Sequence, residues 1–209
     1  SAEHMAKTNG ISRQAQDELA ARSQATAAAA WANGTLAAEV AAVTTPEGRL
    51  VEQDLLMRPG VTLEKLSRLK PAFDKKSGKG TLTAGNSSAL TDGAAAVLIM
   101  SEDKAAELGL TPLAAIKSWS YVGVDPADQL LIGPAIAMPK APQKAGLTMA
   151  DMDVIDIHEA FAAQVLSVTQ KLGDADWCGA RGCTSDCAVD ESKLNILGGS
   201  IALGHPFAA

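Results

Sequence analysis

Aromatic side chains are scarce in this chain: three Phe, one Tyr and three Trp make up 3% of 209 residues. There are few flat rings on which bases could stack. The 18 Lys and Arg are outnumbered by 24 Asp and Glu, for a formal charge of −6. Together these argue against nucleic acid as a partner, because phosphate binding needs concentrated positive charge. An anionic small ligand stays open, since a pocket can be locally basic. No apolar run approaches the roughly 20 residues that span a bilayer, so no transmembrane segment is expected. Cysteine is also sparse: Cys178, Cys183 and Cys187 stand in one C-x4-C-x3-C stretch. An odd number defeats a closed disulfide framework, and the spacing lacks the paired C-x2-C and nearby His of common zinc sites. The three are read as structural or incidental cysteines, and no metal site is expected.

What is present is the 47% hydrophobic, 20% charged balance of a globular protein. Small residues at three- and four-residue steps, from Ala15 and Leu19 to Ala30 and Trp31, predict a long helix over Ser12–Asn33. Ser12 supplies the N-cap and Gly34 the stop. That helix reads as purely structural. Thr62 opens a short helix through Leu69, Ser101 one through Leu108, and Gly133-Pro134 one through Lys144. Thr148 and Asp151 form a capping-box pattern. Strands are expected at Thr81–Ala84, Ala94–Met100, Leu113–Val124 and Val154–Ile157, the second apolar enough to be buried on both faces. A helix over Glu159–Leu172 follows the last of them. Strand and helix therefore alternate from about residue 80, an α/β pattern, after a first part of helix and loop. Lys70, Lys75, Lys76 and Lys79 crowd one loop, which either meets a phosphate-bearing ligand or is simply solvated. The abrupt start at Ser1 and end at Ala209 read as an internal piece of a longer chain.

Two of the three histidines occupy telling positions. In NILGGSIALGHPFAA, Gly198-Gly199 precedes Gly204-His205-Pro206, a loop able to present one imidazole at a fixed angle. From spacing alone a plain glycine turn with a surface histidine explains it as well. His158, in IDIHEAF, sits where a short strand feeds a helix, which is where α/β proteins place reactive groups.

Five ordered motifs carry a family resemblance. Ser1-Ala-Glu3 with Gly10-Ile-Ser-Arg13 and Gln16-Asp17, Leu69-Lys-Pro-Ala-Phe73, Thr83-Ala-Gly-Asn-Ser-Ser88 through Asp92-Gly-Ala-Ala95, His158-Glu-Ala-Phe161, and Gly198-Gly through Gly204-His-Pro206 resemble the thiolase superfamily over essentially the whole chain. The HEAF and GHPF forms look closest to the degradative 3-ketoacyl-CoA type found as the thiolase subunit of fatty-acid β-oxidation complexes. The resemblance implies a layered α/β/α/β/α fold, incomplete here. On that template 1–79 is the latter part of a loop domain, 80–102 the last strand unit of the first half, and 103–209 an incomplete second half. Such a piece would expose sheet edges and an apolar face.

The implied reaction is cleavage of 3-ketoacyl-CoA by CoA through a cysteine acyl-enzyme, with coenzyme A as substrate and no cofactor. His205 would activate the thiol, and His158, where the family more often has asparagine, would donate to the thioester oxygen. Ser88 would contact the CoA pantetheine with Asn86 nearby, and Phe161 would line the pocket. The family's nucleophilic cysteine and its C-x-G-G-G cysteine match nothing in this chain and are expected outside it. The chain alone is therefore expected to be inactive. The resemblance further implies a homodimer or higher oligomer, a possible hydratase/dehydrogenase partner subunit, and a bacterial cytoplasmic or mitochondrial matrix setting. Two other readings stand beside it: an inactive CoA-binding or scaffolding fragment, and a small metal-binding module built on the cysteines and the basic loop.

Overall fold

The computed structural model of the chain describes residues 1–183 and 187–207. Helix α1 (Ala2–Thr8) leads through Gly10 to α2 (Arg13–Ala32), whose N-cap Ser12 accepts a hydrogen bond from the Ala15 N–H. Strands β1 (Val43–Thr44) and β2 (Leu50–Val51) make a small antiparallel hairpin. Then come α3 (Leu63–Ser67), α4 (Glu102–Glu107), α5 (Gly133–Lys144), α6 (Ala162–Leu172), α7 (Ala175–Gly179) and α8 (Ser200–Leu203). Thr62 and Ser101 cap α3 and α4 through their side chains, and Thr148 with Asp151 forms the capping box. Each is a local bond between neighbours in sequence, which is why the sequence displays it.

Helix α6 is the centre. Ala162, Ala163, Val165, Val168 and Leu172 are buried along it, and α1, α2, α5 and α7 pack around it. Met5 and Leu19 from the first part share this core with Ile155, Ile157 and Ile201 from the last. All three cysteines lie buried in the same core.

The strand expectations meet a different outcome. Among the described residues, Ala94–Met100 has no regular secondary structure and joins no ladder, and instead of burial on both faces Val97, Leu98 and Ile99 are 83, 81 and 69% exposed. Leu113–Val124 likewise joins no ladder among the described residues, and is tied to α5 by Ser118 Oγ donating to the Ala141 carbonyl and Lys144 Nζ to that of Trp119, with Val124 against the core. An apolar run records a need for burial, but a strand also needs a neighbour for its backbone. The described residues offer these segments none. Val154–Ile157 is reduced to one parallel bridge, Ile155 to Leu194. The predicted helix over Glu159–Leu172 begins three residues late, because the 158–161 segment pairs elsewhere.

Motif residues hold these parts together. Glu3 accepts hydrogen bonds from the Thr81 and Leu82 N–H groups at 3.0 and 2.9 Å. The Arg13 guanidinium pairs with Asp17 and donates to the Leu66 and Leu69 carbonyls. Gln16 donates to Thr81 Oγ1 at 3.0 Å. The 70–80 loop is open, with the Lys7 ammonium on Asp74.

Candidate functional site

Three segments distant in sequence meet where the two histidines lie. Residues 86–91 run beside 158–162: the Ser88 N–H donates to the Ala160 carbonyl at 3.1 Å, the Ala162 N–H to that of Asn86 at 3.0 Å, and Ser87 bridges Phe161. The same segment clasps the glycine loop, the His205 N–H donating to the Ala89 carbonyl at 2.9 Å and the Thr91 N–H to that of His205 at 3.2 Å. His158 and His205 are thereby set with ring centroids 4.1 Å apart and planes at 61°. Phe207 lies 5.1 Å from His205 on centroids. An open cavity of about 500 Å³, lined by Thr91–Ala95, Pro206 and Phe207, adjoins this end.

His158 is held at its ring. Its Nδ1 lies 2.5 Å from the Ser200 hydroxyl. Partial burial pushes its pKa below the ordinary 6.5, and the nearby His205 pushes it further, while Asp156 pulls the other way. Removal from water and a like-charged neighbour both disfavour the imidazolium. The neutral ring has one donor and one acceptor nitrogen.

Beneath the pair lies a residue that motif reading passed over. The Glu159 carboxylate is buried and accepts from Ser23 Oγ at 2.6 Å, Asn195 Nδ2 at 2.8 Å and the Ile201 N–H at 3.3 Å. Burial raises its pKa and these bonds oppose the rise. Asn195 takes a left-handed conformation, φ 48°, and its amide also pairs with both backbone groups of Ile157 at 2.8 and 2.9 Å. The glycine pair exists for this contact. A Cβ on Gly199 would stand 2.2 Å from the Glu159 carboxyl carbon, and one on Gly198, at φ 84°, 2.6 Å from the Ala27 Cβ of α2. Helix α2 thus supplies more than packing, since Ser23 donates to Glu159 and accepts from the Gly199 N–H at 3.1 Å. A polar residue on the small-residue face was the available signal.

The remaining expected residues divide. Ser88 is half-buried with its hydroxyl on the Ala160 carbonyl at 3.1 Å. Phe161 is half-buried at the foot of α6, edge-on to Phe73 with centroids 5.5 Å apart. Asn86 is wholly buried: it accepts from the Thr83 N–H at 2.8 Å and donates to Asp17 at 2.9 Å and to the Thr81 carbonyl at 3.2 Å. Its side chain is spent inside the protein, shaping the loop that ends in Ser88. The Cys178 thiol is pushed up by burial, which leaves it protonated and unreactive. Among the described residues no His, Cys, Asp and Glu gather as a metal site, and no helix is long and apolar enough to cross a membrane.

Comparison with known proteins places the fold. Residues 1–103 match the model of the thiolase N-terminal domain and residues 110–209 that of the thiolase C-terminal domain. The chain is 50% identical over 213 aligned residues to a 3-ketoacyl-CoA thiolase of Klebsiella pneumoniae, covering all of this chain and 48% of that protein. It superposes on the acetyl-CoA acetyltransferase of Bacillus anthracis with a TM-score of 0.85 at 39% identity, over 98% of this chain and 48% of that one. On human mitochondrial 3-ketoacyl-CoA thiolase in complex with CoA the TM-score is 0.84 at 40% identity, over 98% and 47%. The chain spans about half the length of the relatives it matches, and its fold is the corresponding incomplete share of theirs. With both domain models matched in order along its length, the chain belongs to the thiolase family.

Proposed function

We propose that this chain carries the histidine pair of a degradative thiolase, which cleaves a 3-ketoacyl-CoA with free CoA to acetyl-CoA and an acyl-CoA two carbons shorter. The observation that carries the reading is the 4.1 Å approach of the His158 and His205 rings, with His205 next in sequence to Pro206 and Phe207 of the open cavity. A thiol is mostly protonated at neutral pH and needs a base beside it. His205, clasped by Ala89 and Thr91, takes that proton and returns one as the reaction turns over. The thiolate adds to the keto carbon, and the carbon–carbon bond breaks to release an acetyl-CoA enolate that is protonated by the acid cysteine expected outside this chain. The CoA thiol then gives up its proton to a base, attacks the acyl-enzyme thioester and frees the first cysteine as the leaving thiolate. His158, neutral near pH 7, donates to the thioester oxygen as negative charge builds there. Ser88 meets the pantetheine arm, Phe161 lines the acyl side, and Asn86 supports Ser88 from within. In this reading 1–79, 80–102 and 103–209 are the loop-domain, first-half and second-half shares of the fold.

The test is His205→Ala in the complete protein, assayed on acetoacetyl-CoA. Loss of a general base lowers kcat by about 10²–10⁴-fold, and activity within twofold of the parent would overturn the assignment. The high thiol pKa and burial of Cys178 favour a second statement about the chain by itself. Without an activated thiol it binds acyl-CoA at most and does not turn it over. Measurable turnover by the 209-residue chain would refute that.

A further inference from the structure

We propose that Ser200 is the positioning residue for His158: its hydroxyl donates to Nδ1 and so keeps the ring's proton on Nε2, the nitrogen left to serve the substrate. The inference rests on the reading above, in which His158 is a hydrogen-bond donor. Its geometric basis is the 2.5 Å contact between Ser200 Oγ and His158 Nδ1.

That contact is not an accident of an exposed side chain. Residues on both sides of Ser200 are pinned to the machinery beside His158. The Gly199 N–H donates to Ser23 Oγ, and the Ile201 N–H donates to Glu159, the residue next to His158. Ser23 and Asn195 donate to the same carboxylate. These bonds set the spacing of the two loops with no help from the Ser200 hydroxyl, which is left to the imidazole.

The chemistry requires such a partner. An asparagine amide always presents a donor, whereas a neutral imidazole presents one only when the correct nitrogen is protonated. With the proton on Nδ1 instead, Nε2 would face the growing negative charge as a lone pair and repel it. A wrong tautomer in an otherwise intact site is costly for catalysis. The depressed pKa of His158 keeps the ring neutral at working pH, so the tautomer is a real choice. A hydroxyl can donate or accept, and donation to Nδ1 is the orientation that keeps Nε2–H.

The experiment uses the complete protein labelled with 15N-histidine, together with Ser200→Ala and Ser200→Thr. Histidine 15N shifts of the parent are expected to show His158 as the Nε2–H tautomer, with that population falling in Ser200→Ala. On acetoacetyl-CoA, Ser200→Ala is expected to lose about tenfold in kcat, with KM within threefold, and Ser200→Thr to recover most of the loss. An Nδ1–H tautomer in the parent overturns the proposal even if the alanine variant fails to fold. So does a Ser200→Ala kcat within twofold of the parent. His205→Ala in the same preparation separates the layers: if it is dead while Ser200→Ala is unimpaired, the role of Ser200 falls and the thiolase reading stands. Full activity in His205→Ala removes both.

Discussion

At the scale of single residues, the buried carboxylate of Glu159 joins the histidine segment to the glycine loop and to α2. Its Oε1 faces a donor amide and its Oε2 faces a hydroxyl and a backbone N–H. Glu159→Gln must turn its NH2 toward one of these, so it is expected to destabilise by about 1–3 kcal/mol, read as a lower urea midpoint with unchanged slope. His158 gives a pH signature of definite sign. Its folded pKa lies below the ordinary 6.5, so below that pH the unfolded chain binds more protons. Its contribution to stability is complete above about 6.5 and is lost as pH falls through the depressed folded value. Urea midpoints measured from pH 7.5 down to 5 are expected to fall less in His158→Asn than in the parent, and equal slopes would contradict this. Local signals, Gly and Pro around one histidine and a strand end before the other, drew attention to both. Those signals alone fit a plain turn, and the five ordered motifs were needed to give them a role. Ser200 and Glu159 were not legible. A serine in a glycine-rich run and an acid before a helix look ordinary until the partners at Ser23 and Asn195 are known. Asn86 was named from the resemblance as lying near the pantetheine contact, and its own partners, Thr83, Asp17 and the Thr81 carbonyl, are all internal.

At the scale of elements, helix ends follow from adjacent residues and strand ladders do not. Ser12, Thr62 and Ser101 each accept a bond from the residue three positions on, so a sequence reader sees both partners at once. Ser12→Ala is expected to cost about 1 kcal/mol, checked by thermal or urea unfolding. The start of α6 was misplaced because Ala160 and Ala162 bond to Ser88 and Asn86, some 70 positions away. The glycine pair makes the sharper test of element packing. Gly199→Ala leaves an ordinary extended backbone, φ −137°, and drives a methyl into the Glu159 carboxylate. The expected loss is about 1–3 kcal/mol. It should be much smaller in a Glu159→Ala background, since the obstructing group is then gone; additive losses would show that the crowding is not with Glu159.

At the scale of the molecule, the fold consists of a helical core built around α6, with α2 bringing in α3 and α8, and two apolar segments that join no ladder. In the chain by itself, amides of 94–100 and 113–122 are expected to exchange with solvent far faster than those of α2 and α6, because no ladder protects them. Slow exchange there would reveal pairing absent from this structure. The burial demand of these segments could be read from composition, whereas what satisfies it could not, since a ladder partner leaves no local mark. One more consequence follows from the bonds Ser23 makes to Glu159 and Gly199, which close sequence separations of 136 and 176 residues. A ribosome delivers α2 long before either partner exists. Over the roughly 7–35 s that separate them at about 5–20 residues per second, the Ser23 hydroxyl has neither partner. The two loops that carry the histidines therefore cannot be locked together until both Glu159 and Gly199 have been made, and until then Ser23 and Ala27 of α2 stand uncovered.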